Sequence, residues 1–263
     1  MASFSKINIS SAEKTSWAMN DILVPGHMVT MTALACAENL NHQRYLLRAQ
    51  GKATPSYTAL VIKAAAMTMK LHPEANRAIL GPPFFKRLYQ FENIDICVAV
   101  EKSLPALPGQ AYAAVITSPL IKKIALITNE LQTLVNCNEA NDPKFKTFMR
   151  VLKYIPRPFS NILINMPYWS PYYWIKYRGC AAWVNSPSKA GADLVMTTWP
   201  WPLTFSFGKV EKRALVIENN VEAALSIPLL LSFDRRIMGG GPASRLFSTF
   251  KEIIESANPQ LFD

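Results

Sequence analysis

The stretch from Leu230 to Phe250 constrains this chain more than any other. Apolar residues at 229–231 and Phe233 predict a buried strand, which runs into two arginines and then three glycines. Pro242 falls at the first position of the next element, where a helix loses nothing by its missing N–H. Apolar side chains then recur at helical spacing, at Leu246, Phe247, Phe250, Ile253 and Ile254. The sequence therefore predicts a strand, a tight turn and an amphipathic helix.

This stretch resembles the catalytic strand, turn and helix of the dihydrolipoyl acyltransferase core of 2-oxo acid dehydrogenase complexes, a relative of chloramphenicol acetyltransferase. That family typically reads L-S-x-D-H-R-x-x-D-G-A, and its H-x-x-x-D-G portion holds the catalytic base. Residues in or beside the matching places are Leu231, Ser232, Asp234, Arg236 and Gly240. Arg235 stands where the family has its histidine, and Gly239 stands where it has its aspartate. The frame of the motif is kept while its reactive groups are replaced.

The two replacements change the chemistry that the resemblance implies. In the family a neutral imidazole takes the proton from the thiol of CoA or dihydrolipoamide, which requires a group that titrates near neutrality. Arginine stays protonated and offers only donors, so Arg235 cannot accept that proton. General-base catalysis is worth roughly 100- to 10,000-fold in rate. Gly239 also removes the carboxylate that braces the turn in the family. The pair favours a catalytically degenerate protein, a pseudoenzyme.

Other segments carry the same resemblance and imply a fold. The apolar helix predicted at Tyr57–Leu71, with the residues HPEAN behind it, resembles the family's long helix ending in F-P-x-x-N. The strand predicted at Ile94–Val100 resembles the family's I-x-I-G-V-A-V. The resemblance implies a chloramphenicol-acetyltransferase-like α/β fold, a two-layer sandwich with a mixed sheet, in a single domain spanning 1–263. It also implies a homotrimer or larger homo-oligomer with a channel between subunits, and CoA or an acyl-CoA as ligand. Nothing resembles a lipoyl or subunit-binding domain.

Two further helices are predicted by apolar spacing. One spans Ala37–Gln50, with Leu40, Tyr45 and Leu47 facing inward, and Gly51 ends it. Pro119 opens the second. Its inward residues are Leu120, Ile121, Ile124, Ile127, Leu131 and Leu134.

Residues 179–191 fall where the family has the strand that supplies an oxyanion-stabilising hydroxyl. The comparison places Asn185 at that hydroxyl and Ser186 beside it. Asparagine can also donate a hydrogen bond to an oxyanion. An ordinary turn made by Asn185, Ser186 and Pro187 explains the same residues equally well. Both interpretations stay open.

Two features near the motif bear on ligand binding and on a substitute base. Arg235, Arg236 and Gly240 would lie beside a helix N-terminus, where guanidinium groups and backbone N–H groups both favour anions. A salt bridge from Arg235 to a carboxylate across a subunit contact is the alternative. The histidines His27, His42 and His72 are each candidates for a substitute base, although a single histidine within an element is usually structural.

A segment from 142 to 178 mixes basic and aromatic residues. Its cations are Lys144, Lys146, Arg150, Lys153, Arg157, Lys176 and Arg178, and its aromatic residues are Phe145, Phe148, Tyr154, Phe159, Tyr168, Trp169, Tyr172, Tyr173, Trp174 and Tyr177. Such a segment can pack between subunits or act as a lid, and it can lie on an anionic membrane surface. The prolines Pro156, Pro158, Pro167 and Pro171 exclude one long membrane-lying helix. An intersubunit or lid role is favoured.

Composition limits the remaining classes. The net charge is +10, but no nucleic-acid motif accompanies it, so nucleic acid is not an expected partner. The four cysteines form no C-x-x-C pair, and the first twenty residues lack an apolar signal-peptide run, which together predict a cytoplasmic protein. The leading hypothesis is an oligomeric scaffold or ligand-binding protein, with a possible protein partner. The alternative is an active CoA-dependent acyltransferase with an unconventional base.

Overall fold

The computed structural model describes residues 3–8, 27–82, 84–104, 107–138, 140–154, 162, 165–186, 191–196, 201–217 and 219–263. Several features of the sequence lie outside these residues. They are Arg157, Phe159, the side chains of Phe148, Lys153 and Tyr154, and the prolines Pro156, Pro158 and Pro187.

The larger sheet is mixed and places the predicted catalytic strand near one edge. Its strands are β2 (Met28–Cys36), β5 (Ile96–Leu104), β6 (Leu107–Ile116), β7 (Ala182–Asn185), β8 (Leu203–Phe207), β9 (Glu211–Ile217) and β10 (Asn220–Asp234). The order is β2-β10-β8-β7-β5-β6, and β9 pairs with the first half of β10. The pairs β5–β7 and β7–β8 are parallel and the other pairs are antiparallel.

A smaller antiparallel sheet has the order β1-β4-β3, from β1 (Phe4–Lys6), β3 (Arg77–Leu80) and β4 (Arg87–Phe91). Gly81 ends β3 with φ +138°, and a Cβ there would come 2.5 Å from the carbonyl oxygen of Phe85. The turn from β3 to β4 therefore requires glycine at this position.

Six α-helices of eight or more residues accompany the sheets in the described part of the chain. They are α1 (Glu38–Ala49), α2 (Tyr57–Leu71), α3 (Ile124–Asn136), α4 (Pro143–Tyr154), α5 (Pro171–Arg178) and α6 (Gly240–Glu255). Residues 165–169 are also helical. The Ser56 hydroxyl caps α2 by accepting a hydrogen bond from the backbone N–H of Ala59 at 3.1 Å. Most of α2 is buried, as its apolar sequence predicts.

The core lies between the larger sheet and the helices α2 and α6, which contact each other as well as the sheet. Phe205 of β8 and Phe250 of α6 are both fully buried, and their ring centroids lie 4.8 Å apart. This arrangement confirms the predicted two-layer α/β sandwich with a mixed sheet. No helix in the described ranges has the length and apolar character needed to cross a bilayer.

Three details of the predicted helices are wrong. Tyr45 is 67% exposed, because α1 buries only a narrow stripe around Leu40. Ile121 is 82% exposed, since it lies in a turn and α3 begins only at Ile124. Pro242 is the third residue of α6, whose first residue is Gly240. The third position is still within the first turn, where a backbone N–H has no partner in the helix.

Candidate functional site

The turn after β10 forms the centre of the predicted site. β10 ends at Asp234 and α6 begins at Gly240, with Gly239 as its N-cap residue. The backbone N–H of Arg235 donates to the carbonyl oxygen of His27 at 2.8 Å, just beyond the β2–β10 pairing of Met28 with Asp234. This hydrogen bond holds the backbone of Arg235 at the start of the turn, next to His27, which immediately precedes β2.

The two arginines of the motif have different surroundings. The Arg236 guanidinium donates through Nη2 to Oδ2 of Asp234 at 2.7 Å and through Nε to Oδ1 at 3.0 Å. Asp234 is buried and also accepts from the Arg236 backbone N–H at 2.9 Å. Arg235 is exposed, and no carboxylate among the described residues pairs with it. Arg235 is therefore the cation of the pair that is available to an anion.

The predicted oxyanion residues lie away from Arg235 within one chain. Asn185 is the last residue of β7 and pairs with Ser206 of β8, which in turn pairs with Leu230 of β10. Arg235 lies five residues further along, a distance of about 17 Å at roughly 3.3 Å per residue. Ser186 follows Asn185 and is half-buried. The structure therefore does not bring Asn185 or Ser186 together with Arg235 in a single subunit.

Only His27 of the three histidines lies at the motif. Its φ is +52°, an uncommon value for a residue other than glycine. His42 is exposed on α1. His72 ends α2, with Nε2 2.9 Å from Thr249 Oγ1 and Nδ1 3.5 Å from Glu74 Oε1. Of the three histidines that were candidates for a substitute base, only His27 lies close enough to the motif to remain one.

A cleft of about 530 Å³ opens beside this turn. Its walls come from β3 and the turn after it, from the aromatic segment 165–174, and from the ends of β2, β8 and β10. The lining residues are His27, Met28, Ala78, Ile79, Leu80, Gly81, Phe84, Lys86, Asn165, Tyr168, Trp169, Trp174, Trp201, Pro202, Asp234 and Arg236. Arg235 does not line the cleft. Sequence reasoning missed this cleft, although the density of aromatic residues between 168 and 174 was a signal for it.

Other reactive groups are held in unreactive forms. Burial raises the pKa of the Cys97 and Cys180 thiols well above their usual range, so neither is a thiolate nucleophile at neutral pH. Burial likewise raises the pKa of Tyr168, whose hydroxyl stays protonated. No group of three or more potential metal ligands occurs among the residues that the structure describes.

The architecture is the fold of the chloramphenicol-acetyltransferase-like acyltransferases. Chloramphenicol acetyltransferase itself shares it with a TM-score of 0.57 at 11% identity, over 99% of this chain and 100% of that one. No protein-family model matches the sequence, and no curated protein matches it.

Two dehydrogenase-complex structures share the fold over almost the whole chain. The dihydrolipoamide acetyltransferase of Azotobacter vinelandii superposes with a TM-score of 0.66 at 16% identity, covering 98% of this chain and 93% of that one. The cubic core of a pyruvate dehydrogenase multienzyme complex superposes with a TM-score of 0.65 at 16% identity, with the same coverage of both chains. The Azotobacter structure concerns the catalytic role of a serine, a histidine and an asparagine, the last two standing four positions apart. Arg235 and Gly239 have that same spacing here.

Proposed function

We propose that this chain is an acyltransferase-fold protein that no longer performs the proton transfer of the motif, and that it works as an oligomeric ligand-binding or scaffold protein. The observation that carries the proposal is the exposed, permanently charged side chain of Arg235 on the turn where the related enzymes have a base. The frame around it is intact, since Asp234 and Arg236 still form an ion pair. The fold is kept and the proton acceptor is gone.

The proposed ligand is CoA or an acyl-CoA, and the proposal requires no other cofactor. Arg235 and the N-terminus of α6 would bind one of its phosphates, because guanidinium and exposed backbone N–H groups both attract anions. No atom lies within 4 Å of the position of a Cβ on Gly240, so that side of its backbone is open. Arg236 would support this anion site only indirectly, because Asp234 already holds its guanidinium.

The proposed assembly is a homotrimer or a larger homo-oligomer of one-domain chains spanning 1–263. Asn185 and Ser186 lie far from Arg235 within one subunit, so a site that includes all three needs a second copy. The likeness to a cubic core supports such an assembly. A further protein partner is compatible with a scaffold role.

We propose a cytoplasmic location and no nucleic-acid partner, as the sequence predicts. The segment 142–178 divides its aromatic residues, since Phe145 and Trp174 are buried while Trp169, Tyr172 and Tyr177 are largely exposed. The buried residues favour a structural role for the segment. The exposed aromatic residues support a second proposed role for the segment, contact with an anionic membrane surface.

The test is to measure CoA binding by calorimetry and free thiol release from acetyl-CoA and longer acyl-CoAs. We expect binding without turnover. Arg235→Ala should weaken CoA binding by about tenfold, the effect of losing one charge-assisted contact. Arg48→Ala, which removes an exposed arginine from α1, should not. Arg235→His combined with Gly239→Asp should produce measurable thiol release if the channel is open. Rapid release by the natural protein that Arg235→Ala abolishes would overturn the proposal.

The same assay tests the second candidate function, an active acyltransferase with an unconventional base. The observation that favours it is the position of His27, hydrogen-bonded through its backbone to Arg235 and facing the cleft. A neutral imidazole has a ring nitrogen that can accept a proton, which the guanidinium of Arg235 lacks. In that case thiol release should survive Arg235→Ala and disappear in His27→Gln.

A further inference from the structure

The cleft beside β3 is bounded on one side by aromatic residues, and two of them, Trp174 and Trp201, have partners for their indole N–H groups. The indole N–H of Trp174 donates to the backbone carbonyl oxygen of Cys180 at 3.0 Å. The indole N–H of Trp201 donates to the backbone carbonyl oxygen of Arg178 at 2.8 Å. Tyr168 meets Trp174 edge to face, with ring centroids 5.1 Å apart. Trp174 and Trp201 are only 1% and 3% exposed, so they support the wall from behind and present almost no surface to a ligand.

Direct contacts hold the walls in place. The backbone N–H of Gly81, on the β3 side, donates to the carbonyl oxygen of Tyr168 on the aromatic side at 2.8 Å. Trp201 also stacks on buried Trp183 at a centroid distance of 4.2 Å. The cleft is thus built before any ligand arrives, which reduces the entropy lost on binding.

The mouth of the cleft carries exposed apolar surface. Phe84 is 98% exposed and has φ +71°, a backbone value that is strained for a bulky residue. Trp169, which is 44% exposed, also lines the cleft. Phe85, next to Phe84, is exposed as well but does not line it. Two neighbouring phenylalanines therefore differ in whether a bound molecule would cover them.

Among the lining residues that the structure describes, one cation has no carboxylate partner. Asp234 and Arg236 neutralise each other through their ion pair. Lys86 lies at the mouth and is exposed, and no carboxylate in the described ranges pairs with it. His27 and Asn165 add further polar groups to the lining. The lining is complementary to a ligand with one negative charge near Lys86.

We propose that this cleft binds a small molecule with a planar aromatic body and one anionic group, such as an aromatic carboxylate or sulfonate. Its volume falls within the range of about 300 to 1,000 Å³ that is typical of small-molecule sites. The aromatic body would lie against the exposed rings of Phe84 and Trp169, and the anion would lie near Lys86. Arg235 takes no part, so this site does not depend on whether the chain binds CoA.

The experiment uses anilinonaphthalene sulfonate as the probe and its uncharged relative phenylnaphthylamine as the comparison, with fluorescence titration of the full chain. We expect one sulfonate probe bound per chain, more tightly than the uncharged one. Phe84→Ala or Trp169→Ala should weaken both probes by about 3- to 10-fold, the worth of one aromatic contact. Phe85→Ala, the matched control, should leave both affinities unchanged.

Lys86→Gln tests the anionic group, and Arg87→Gln is its control because Arg87 is also exposed and does not line the cleft. Lys86→Gln should weaken only the sulfonate, by about 3- to 5-fold for one exposed charge contact. Equal losses in Phe84→Ala and Phe85→Ala would show general adsorption to an apolar patch and overturn the proposal. Equal affinity for the two probes would also overturn it. All these side chains are exposed at least in part, and circular dichroism checks that each variant remains folded.

Discussion

Lys63 is a charged residue in the middle of an apolar helix. Its side chain is only 4% exposed, and Nζ donates to the backbone carbonyl oxygens of Lys122 at 2.7 Å and Asp263 at 3.1 Å. Burial lowers the pKa of Lys63, and the nearby charge of Asp263 opposes that shift. The ammonium therefore links α2 to the turn before α3 and to residue 263.

Replacing Lys63 by methionine should destabilise the protein by about 1–3 kcal/mol, because the Lys122 carbonyl oxygen loses its donor. Lys70→Met, at an exposed position of the same helix, is the control and should change little. Urea denaturation at neutral pH measures both. Equal stability of Lys63→Met and the natural protein would contradict this prediction.

The lowered pKa of Lys63 adds a pH dependence to the same comparison. Between the folded pKa and the ordinary value of 10.5 the unfolded chain binds more protons at this position, so stability rises with pH in that window. Lys63→Met lacks this contribution. The difference in stability between the two proteins should therefore widen as the pH is raised toward about 10.

At this scale the sequence located the motif but not its neighbours. Arg235 and Gly239 could be matched to the family's motif by resemblance, since both lie within one short pattern. The contact of Arg235 with His27 could not be, because it joins residues separated by most of the chain and depends on the β2–β10 pairing. The carbonyl groups that accept from Lys63 could not be predicted from sequence for the same reason, since they lie far from Lys63 along the chain.

Single elements were predictable where local signals agreed. The bounds of α2, Tyr57–Leu71, match the prediction, since Ser56 caps its start and the His72-Pro73 pair follows its end. β10 extends further than its apolar run, from Asn220, because its first half pairs with β9 instead of lying in the core. The aromatic segment could not be divided into buried and exposed rings from sequence, since aromatic residues suit both surroundings.

The packing of α6 on the sheet predicts how much stability is lost when a buried side chain of this helix is truncated. Phe250 is fully buried against Phe205, so Phe250→Ala should cost about 3–5 kcal/mol through the cavity it leaves. Ser248→Ala, two positions earlier and exposed, should stay within about 0.5 kcal/mol. Urea midpoints of the two variants check this. A small loss in Phe250→Ala would mean that α6 is not packed on β8 as described.

At the scale of the whole molecule, the hairpin of β9 and β10 carries apolar surface away from the core. Val216 and Val221 pair directly across the hairpin and are 73% and 76% exposed. A single chain leaves both valines in water. Burial of an apolar side chain is worth about 1.5–3 kcal/mol, so covering this pair by a second copy would favour the proposed assembly.

The assembly itself can be measured by light scattering during gel filtration. Three chains of 29.4 kDa give a particle of about 88 kDa, and a larger assembly of trimers would give a multiple of that mass. Replacing Val216 and Val221 together by serine should shift the particle toward 29.4 kDa at low concentration, because the apolar pair is lost. Lys212→Ser, on the same strand of the hairpin, should leave the mass unchanged. A natural protein that elutes as a monomer at every concentration would contradict the trimer and require the Arg235 site to act within one chain, without Asn185 and Ser186.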